Sequence, residues 1–408
     1  MSKIVEINLL HYGSTGKIML GIADVARSAG HQVWTFSPKR YSRHGKMDFP
    51  SIPGHSYFGS VGENARHILL GKYTGMNGCF SLIGTISLLR QLDKIKPDII
   101  HLHNLHGFVI NLPLLFGYIK KRRIPTVWTL HDCWAFTGQC PYFTLADCGK
   151  WKTGCHHCPQ IHVYPKASVD RTRLMWGLKK KWFTGLEDLT LVTPSKWLAG
   201  LVKQSFLKDY PVKVINNGID LDVFRPRDSS FRRDHSIAPQ EYMLLGVAAG
   251  WGKRKGLDVF IELAKRLPEG YRIVLVGTNE ETDKLLPENI ISVHQTDNQS
   301  QLAEIYSAAD LFVNPTREEN FPTVNMEALA CGTPVITFNT GGSPEIIDDT
   351  CGAVVKNNSV SETLEIISDI RTGKLSLPSG RCISKAQNFN YKISNQKYID
   401  LYSYIADF

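Results

Sequence analysis

Short runs of β-branched and aliphatic residues alternate with helical patterns along most of this chain. In the first half, the apolar runs lie at 3–10, 31–36, 98–103 and 126–131, and helical patterns separate them. Strands that alternate with helices form parallel sheets, because each connection must return the chain to the same end of the sheet. The sequence therefore predicts an α/β fold of doubly wound parallel sheets, with helices on both faces.

A second set of alternating runs follows a polar segment at 216–240. Its predicted strands are 242–249, 272–277, 311–315 and 334–338. A chain of 408 residues is long enough for two or three domains. We therefore expect an N-terminal Rossmann-like domain over 1–215, a C-terminal Rossmann-like domain over 216–385, and a C-terminal helix within 386–408 that crosses back to the first domain.

Charge is divided unevenly between the two halves. The chain has 47 basic and 38 acidic residues, but residues 1–210 hold 27 basic and 12 acidic residues, against 20 and 26 in the remainder. No apolar run approaches the roughly 20 residues of a membrane span, and the N-terminus lacks the pattern of a signal peptide. We expect a cytoplasmic protein whose basic half faces an anionic partner, such as the inner face of the cell membrane.

The segment 317–347 holds the densest set of polar residues that follows a predicted strand. Pro322 suits the first turn of a helix, and the amides of Thr323 and Val324 would then point outward from that turn. A helix N-terminus with free N–H groups is suited to binding phosphate. Glu319, before the helix, and Glu327, within it, could each accept hydrogen bonds from sugar hydroxyls.

This segment resembles the E-x7-E signature of the family 4 glycosyltransferases. Glu319-Asn320-Phe321-Pro322 is similar to the family's turn, and EALACGTPVI and GGSPEII are similar to the segments that follow it. TPSKWLAG (193–200) and VINNGID (214–220) also resemble family segments. The resemblance implies a GT-B fold, in which two Rossmann-like domains face each other across a cleft, with the donor mainly on the C-terminal domain.

The resemblance also implies roles for residues that contact the donor. Lys255 matches the lysine that neutralises the donor diphosphate, and Arg254 precedes it. Many members carry an arginine six positions before that lysine, where this chain has Ala249. Gly277, after a predicted strand, is a candidate for the nucleobase site. Gly16 lies in a loop that departs from a phosphate-binding Walker A loop and resembles the family's glycine-rich turn.

Histidines end two neighbouring predicted strands of the first half. His131 and Asp132 follow the run 126–131, and the resemblance places this histidine over the donor sugar. His103 and Asn104 end the run 98–103 and are candidates for the acceptor side, as is Asp132. A histidine at a strand end also fits a purely structural role.

Four cysteines fall in an insertion at about 133–165 that the general family pattern does not explain. Cys140, Cys148, Cys155 and Cys158 have the spacing C-x7-C-x6-C-x2-C, and four thiolates can bind a structural zinc ion. The insertion resembles one found in colanic-acid-type exopolysaccharide transferases. Free reduced cysteines, or a disulfide in an oxidising compartment, would fit the spacing as well.

The resemblance implies a retaining hexosyltransferase, which we expect to act in cell-surface polysaccharide synthesis. It would move a sugar from a UDP or GDP sugar to a hydroxyl of a glycan or a polyprenyl-diphosphate-linked acceptor, without a catalytic cofactor and without a nucleic-acid partner. The basic, aromatic segments 116–124 and 175–183 could contact an anionic membrane, although a solvated helix end fits them equally. Two alternatives remain: a nucleotide-sugar epimerase or hydrolase of GT-B fold, and a non-enzymatic, zinc-stabilised adaptor.

Overall fold

The computed structural model describes residues 1–39, 49–356 and 359–406. The chain divides into two compact units, and each is an α/β unit built on one parallel sheet. The first unit comprises Met1–Ile215 and the chain from Asn395 onward, and the second comprises Asn216–Ser394. The α/β fold predicted from the alternating runs is confirmed.

Seven parallel strands form the sheet of the first unit, in the order β3-β2-β1-β4-β5-β6-β7. They are Lys3–Ile7 (β1), Gln32–Pro38 (β2), His55–Phe58 (β3), Ile99–Leu102 (β4), Thr126–Thr129 (β5), Leu189–Thr193 (β6) and Val212–Val214 (β7). The α-helices of this unit that precede residue 215 are Gly13–Ser28 (α1), Val61–Thr74 (α2), Leu82–Ile95 (α3), Leu112–Arg122 (α4), Thr172–Phe183 (α5) and Lys196–Val202 (α6). Short 3-10 helices lie at Trp134–Phe136 and Lys150–Lys152.

Six parallel strands form the sheet of the second unit, in the order β10-β9-β8-β11-β12-β13. They are Tyr242–Val247 (β8), Tyr271–Val276 (β9), Ile290–Val293 (β10), Leu311–Asn314 (β11), Val335–Phe338 (β12) and Gly352–Val355 (β13). The helices of this unit are Phe231–Asp234 (α7), Leu257–Arg266 (α8), Glu280–Asp283 (α9), Gln299–Ala308 (α10), Thr323–Ala330 (α11), Val360–Arg371 (α12) and Ser379–Ala386 (α13). The last helix, Tyr391–Ala406 (α14), begins in this unit and continues in the first. The 3-10 helices are Lys253–Lys255, Ser343–Glu345 and Gln387–Phe389.

Several helices begin where a side chain accepts a hydrogen bond from the first turn. Ser60 caps α2, Asn111 caps α4, and Ser195 caps α6 through bonds from Glu63, Leu114 and Leu198 N–H groups respectively. Such caps satisfy backbone donors that have no partner within the helix. Each cap therefore fixes the residue at which the connection from the preceding strand ends and the helix begins.

Alternating side chains of the first sheet feed two separate hydrophobic layers. Val5, Ile100 and Leu102 pack on one face, while Ile4 and Ile99 pack on the other. The second layer is covered by α1 and by the part of α14 that belongs to this unit, whose buried residues are Tyr398, Ile399, Leu401 and Tyr402. The last helix is therefore part of the core of the first unit.

The C-terminal region differs from the predicted 386–408 helix. Residues up to Ala386 form α13, a 3-10 turn follows, and α14 begins only at Tyr391. Its first residues belong to the second unit and those from Asn395 onward to the first. Residues 407–408 of the predicted segment lie outside the described residues.

Each sheet reverses its strand order beside its first strand, between β1 and β4 in one unit and between β8 and β11 in the other. In doubly wound sheets, ligands bind beyond the carboxyl ends of the strands at this reversal. The segments that follow these four strands are therefore where each unit is expected to hold its functional side chains.

Candidate active site

Lys255 and Glu319 form an ion pair beyond the reversal point of the second sheet. Lys255 ends the 3-10 turn after β8, Glu319 follows β11, and Lys255 Nζ lies 2.6 Å from Glu319 Oε2. Burial alone would raise the pKa of Glu319, but Lys255 and the N–H of Asn320 hold it below its usual range. The carboxylate is therefore ionised at neutral pH. Both side chains are charged, so each could leave the pair to bind a ligand.

Arg254 lies beside this pair but is directed to the backbone. Its Nη1 donates to the carbonyl oxygen of Glu318 at 3.4 Å, and its own carbonyl accepts from the N–H of Arg317 at 2.8 Å. Ala249, the position of the family arginine, is exposed. The structure thus brings Arg254 to the same cluster as Lys255 and Glu319, where a small movement of its guanidinium could reach an anion.

The turn Asn320–Phe321 leads into α11, where the sequence placed a phosphate-binding helix start. Asn320 and Phe321 are buried, and the carbonyl of Asn320 accepts from Gly342 N–H at 2.7 Å. Pro322 is the N-cap and gives no side-chain bond to the first turn, which begins with Thr323 and Val324. The amides of the first turn have no acceptor within the helix itself and remain suited to an anion.

Glu327 is the eighth residue after Glu319 and lies inside α11. It is 9% exposed, and its Oε2 accepts a hydrogen bond from the Tyr306 hydroxyl at 3.2 Å. Tyr306 itself is fully buried on α10. The carboxylate is therefore oriented by a rigid neighbour rather than solvated, which argues against a simple surface glutamate.

The backbone conformation of the turn after β9 requires a glycine, Gly277. Its φ is +86°, and a Cβ at this position would lie 1.7 Å from the carbonyl oxygen of Ala248, which follows β8. Only glycine tolerates this approach. The two strand ends are thus held together at the place where the sequence expected the nucleobase.

His131 and His103 are brought together beyond β4 and β5 of the first sheet. His103 Nδ1 lies 3.2 Å from His131 Nε2, and the two rings are stacked with 16° between their planes. Burial lowers the pKa of His131 to about 4, although Asp132 opposes the shift. His131 is therefore a neutral imidazole at pH 7, able to donate or accept a hydrogen bond without carrying charge.

Asp132 and Asn104 hold the loops around these histidines. Asp132 Oδ2 lies 2.9 Å from His106 Nε2, and its Oδ1 accepts from Trp134 N–H. Burial would raise the pKa of Asp132, but His106 and the Trp134 N–H lower it below its usual range. Asn104 is half-buried, and its N–H donates to the Asn8 side chain at 3.2 Å. Asn104 and Asp132, two of the three predicted acceptor-side residues, thus have structural partners.

The loop before α1 packs tightly over Gly16. A Cβ at Gly16 would lie 2.4 Å from the carbonyl carbon of His11, so the glycine allows the loop to fold back on its own helix. This close approach alone requires glycine here. The predicted approach of a donor phosphate remains a prediction.

The four cysteines of the insertion line one pocket, together with Phe143 and Trp151. Burial raises the pKa of Cys140 to about 12 and of Cys155 to about 11, and the neighbouring thiols add to both shifts. Tetrahedral zinc places its sulfur ligands about 3.8 Å apart. Among the described residues, no three of these sulfurs lie within 4.8 Å of one another. The four thiols are of the kind that zinc binds, and they line the same pocket. Their sulfur atoms lie farther apart than in a site that holds zinc.

Lys179 corrects the interpretation of 175–183 as a membrane-facing segment. Its side chain is fully buried, donates to the carbonyls of Trp134 and Thr137, and lies 3.7 Å from the centre of the Trp134 ring. Burial lowers the pKa of Lys179 to about 7. The apolar residues of 116–124 also differ from the prediction, because Phe116 and Ile119 lie in the core.

Residues that the sequence interpretation did not single out complete the first unit's site. Glu6, at 0% exposure, lies 3.2 Å from His103 Nε2, and His106 connects Asp132 to the Tyr164 hydroxyl. The third histidine of HLHNLHG was a visible signal for His106. Glu6 gave only a weak one, a single acidic residue within an apolar strand.

Comparison with known proteins places this geometry in a family. Residues 16–223 match the Glycosyltransferase Family 4 profile, and residues 228–388 match the profile of glycosyl transferases group 1. A relative named as a colanic acid biosynthesis glycosyl transferase, WcaC of Escherichia coli (strain K12), is 24% identical over 66% of this chain and 67% of its own length. D-inositol 3-phosphate glycosyltransferase of Mycobacterium tuberculosis (strain F11) is 30% identical over 43% of this chain and 39% of its own length.

Solved structures share the fold over nearly the whole chain. Sucrose-phosphate synthase from Thermosynechococcus elongatus covers 99% of this chain and 99% of its own, with a TM-score of 0.73 and 17% identity. Anabaena HepE in complex with UDP and glucose covers 99% and 100%, with a TM-score of 0.68 and 16% identity. These matches confirm the expected GT-B fold. The profile matches show a glycosyltransferase and set aside the non-enzymatic alternative, and the chain belongs to glycosyltransferase family 4.

Proposed function

We propose that this glycosyltransferase moves a hexose from a UDP or GDP sugar to a hydroxyl of a glycan or lipid-linked oligosaccharide in cell-surface polysaccharide synthesis. The observation that carries the proposal is the Lys255–Glu319 pair beside the first turn of α11. A diphosphate placed there would meet one lysine, the positive end of a helix dipole and a carboxylate suited to sugar hydroxyls. That combination matches the two chemical parts of a nucleotide sugar.

Each residue has a role in the proposed transfer. Lys255 and the amides of Thr323 and Val324 hold the diphosphate, Glu327 accepts from the ribose hydroxyls, and Glu319 accepts from the sugar. The bond between the anomeric carbon and the phosphate oxygen breaks, and the diphosphate takes the electron pair. Stabilising the charge that develops on this leaving group is the largest catalytic contribution expected here.

The proposed reaction retains the configuration of the anomeric carbon. Glu319 is already paired with Lys255, so it is unsuited to act as a covalent nucleophile. The acceptor oxygen would attack on the face from which the diphosphate leaves, and its proton would pass to a departing phosphate oxygen. We propose no catalytic metal, because Lys255 and the helix amides supply the charge that one would provide.

Names of similar proteins support the substrate class. WcaC is named for colanic acid biosynthesis, and WaaG, a structural neighbour with a TM-score of 0.63, is described as a glycosyltransferase of lipopolysaccharide biosynthesis. HepE was solved with UDP-glucose. These names favour a UDP sugar among the donors and a polysaccharide or lipid-linked acceptor.

The experiment is a panel of UDP, GDP and ADP sugars measured by thermal stabilisation, followed by transfer assays with the donor that responds. Binding at 100 times Kd raises stability by about 2.7 kcal/mol, which gives a clear shift of Tm. NMR of the product's anomeric proton tests retention. Sugar release without any acceptor would favour the hydrolase alternative, and a donor isomerised at one carbon would favour the epimerase.

We also propose that Cys140, Cys148, Cys155 and Cys158 hold a structural zinc ion. Their shared pocket supports this, because burial and the neighbouring thiols raise the pKa of Cys140 and of Cys155, and a cation would relieve that cost. Zinc measured by mass spectrometry should approach one ion per chain, and Cys155→Ser with Cys158→Ser should abolish it. Cys331→Ser, a buried cysteine of the second unit, is the matched control. Wild-type protein purified without zinc and equally stable would contradict the proposal.

We further propose that the acceptor is met at an anionic membrane. Among the described residues, no helix is long and apolar enough to cross a membrane. The start of α3 is fixed to α2, since Glu63 accepts from Gly84 N–H and His67 bonds Ser81. These two helices expose large apolar side chains, namely Ile68, Leu69, Leu70, Tyr73, Leu82, Ile83 and Ile86, beside exposed Arg66, Lys72 and Arg90.

Such a combination of apolar and basic side chains is suited to a lipid surface with negative headgroups. Vesicles of phosphatidylglycerol should sediment the wild-type protein, and Leu69→Asp with Ile83→Asp should abolish this. Leu285→Asp, at an exposed leucine of the second unit, is the control. Equal sedimentation of all three proteins would contradict the proposal.

A further inference from the structure

A line of buried polar side chains crosses the first sheet on the face covered by α14. Strand alternation places Glu6 on the same face as Ile4, His101 and His103 on the face of Ile99, and Thr129 on the face of Val127. Glu6, His101 and His103 are all 0% exposed. Three ionisable side chains in a core layer are costly unless every polar atom has a partner, so their contacts are informative.

One branch of this network joins the sheet to α14. His101 Nδ1 lies 2.6 Å from the Tyr402 hydroxyl, and His101 Nε2 lies 2.7 Å from Thr129 Oγ1. Thr129 in turn donates to the Tyr398 hydroxyl at 3.2 Å. Because the threonine proton is used on Tyr398, His101 must donate from Nε2 and accept from Tyr402 at Nδ1.

The other branch leads to His131. Glu6 Oε2 lies 3.2 Å from His103 Nε2, and His103 Nδ1 lies 3.2 Å from His131 Nε2. The Tyr402 hydroxyl is 3.5 Å from Glu6 Oε1, but its proton is already used on His101. Both side chains are 0% exposed, and an ionised group is costly in such a layer, so the proton is placed on Glu6 and both groups are taken as neutral. The pKa shifts agree in direction, since burial raises the pKa of Glu6 and lowers that of His103. A neutral Glu6 donates to His103 Nε2, and His103 then donates from Nδ1 to His131 Nε2.

We propose that Glu6 and His103 are positioning residues for His131, holding its ring in one orientation and in the tautomer that carries hydrogen on Nδ1. The chain of donors has a single direction, from Glu6 through His103 to His131. His131 therefore presents a fixed donor, rather than a mixture of donor and acceptor. The inference rests on the proposed function, together with the expectation from the family resemblance that His131 lies over the donor sugar.

The same cluster has the composition of a metal site. One ligand atom from each of Glu6, His101 and His103 lies within 4.8 Å of the others. However, both ring nitrogens of His101 and of His103 already have hydrogen-bond partners at 3.2 Å or less. A metal would have to break these bonds in a layer closed to solvent, so the geometry favours the hydrogen-bonded line.

The experiment uses 15N-labelled histidine in the full chain and compares three variants. In wild-type protein, the His131 ring nitrogens should show one tautomer, with hydrogen on Nδ1. His103→Phe should convert this signal to a tautomer mixture and lower kcat for transfer by about tenfold to a hundredfold, with KM for the donor changed less than threefold. Glu6→Gln keeps a side-chain N–H donor and should retain both the signal and kcat within about twofold.

Thr129→Val is the matched control, because it removes a buried hydroxyl from the His101 branch without touching the line to His131. It should cost stability but leave the His131 signal unchanged. An unchanged His131 signal in folded His103→Phe would overturn the proposal, as would a stoichiometric metal that Glu6→Gln releases. If His131→Ala keeps full transfer activity, the expected role of His131 over the donor sugar fails, while the ring signal in the other variants still decides whether Glu6 and His103 position it.

Discussion

The Lys255–Glu319 pair concentrates the charge of the second unit's site in two side chains. We expect Lys255→Ala to lower kcat for transfer by about a hundredfold to a thousandfold, because it removes a charge that stabilises the leaving diphosphate. Lys255→Arg should recover part of this loss. Transfer kinetics with the identified donor measure both. Lys253→Ala, in the same 3-10 turn but without a bond to Glu319 among the described contacts, is the control.

Acid should weaken the same pair. The pKa of Glu319 is held below its usual range by Lys255, so the carboxylate stays ionised at pH 7 and is protonated only in clear acid. Its contribution is therefore present above the usual glutamate range and is lost as pH falls through its lowered pKa. Donor binding should stay constant from pH 8 to pH 6. A loss of donor affinity centred near pH 7 would contradict this.

The prediction for Gly277 concerns backbone conformation rather than charge. Gly277→Ala should lower the free energy of unfolding by more than about 1 kcal/mol, since the residue has a positive φ and the added carbon would overlap the Ala248 carbonyl. Urea unfolding monitored by circular dichroism measures the change. Gly252→Ala, in the loop after β8, adds a carbon with no atom within 4 Å and should be near neutral. Equal effects of the two substitutions would contradict this interpretation.

Among the elements, α14 packs far from its neighbours in the sequence, because its residues enter a core layer of the first sheet. Leu401→Ala should cost about 2–5 kcal/mol of unfolding free energy, the range for truncating a buried leucine, because Leu401 packs in the core layer of the first sheet. Ile393→Ala, on the same helix but 49% exposed, should cost little. Thermal and urea unfolding should therefore separate the two variants by at least 1.5 kcal/mol.

Element prediction from the sequence succeeded where a buried face gave a clear period. The runs predicted as strands at 3–10, 98–103 and 126–131 contain the observed β1, β4 and β5 respectively. Strand β3 and helix α2 were not predicted. Most of β3 is half-exposed, and α2 exposes several of its large apolar side chains, so neither has the pattern that burial imposes.

Candidate site residues could be named from the sequence where they follow a strand within one sequence segment. Lys255 and Glu319 belong to such segments, and the structure brings them into contact across 64 positions. Glu6 was not predictable, since its importance depends on β1 pairing with β4, which sets Glu6 opposite His101. Register between strands nearly 100 residues apart is a tertiary property, and no local pattern reports it.

At the scale of the whole molecule, buried histidines should make the protein sensitive to mild acid. Burial lowers the pKa of His67 to about 4 and of His101 to about 3. Below about pH 6.5 the unfolded chain binds protons that the folded chain does not, so stability falls as pH drops from 6.5 to 4. Each such histidine contributes about 1.4 kcal/mol per pH unit in that range.

Urea unfolding at pH 7, 6 and 5 measures this slope. His67→Gln should reduce the slope by the contribution of one titrating group, because glutamine does not titrate and can still accept a hydrogen bond from Gly78 N–H. Glu6 acts in the opposite direction, since its raised pKa makes the folded chain bind a proton as pH falls. An unchanged slope in His67→Gln would show that this histidine titrates normally.

The placement of α14 also affects how the protein is made. Tyr398, Ile399 and Tyr402 complete a core layer whose other side chains, such as Ile4 and Ile22, are synthesised almost 400 residues earlier. Until those late residues leave the ribosome, this face of the first sheet is covered by α1 without α14, and His101 lacks its tyrosine partner. Whereas many two-domain chains can finish the first domain during translation, this chain must keep it incomplete and exposed to chaperones until the second has been made.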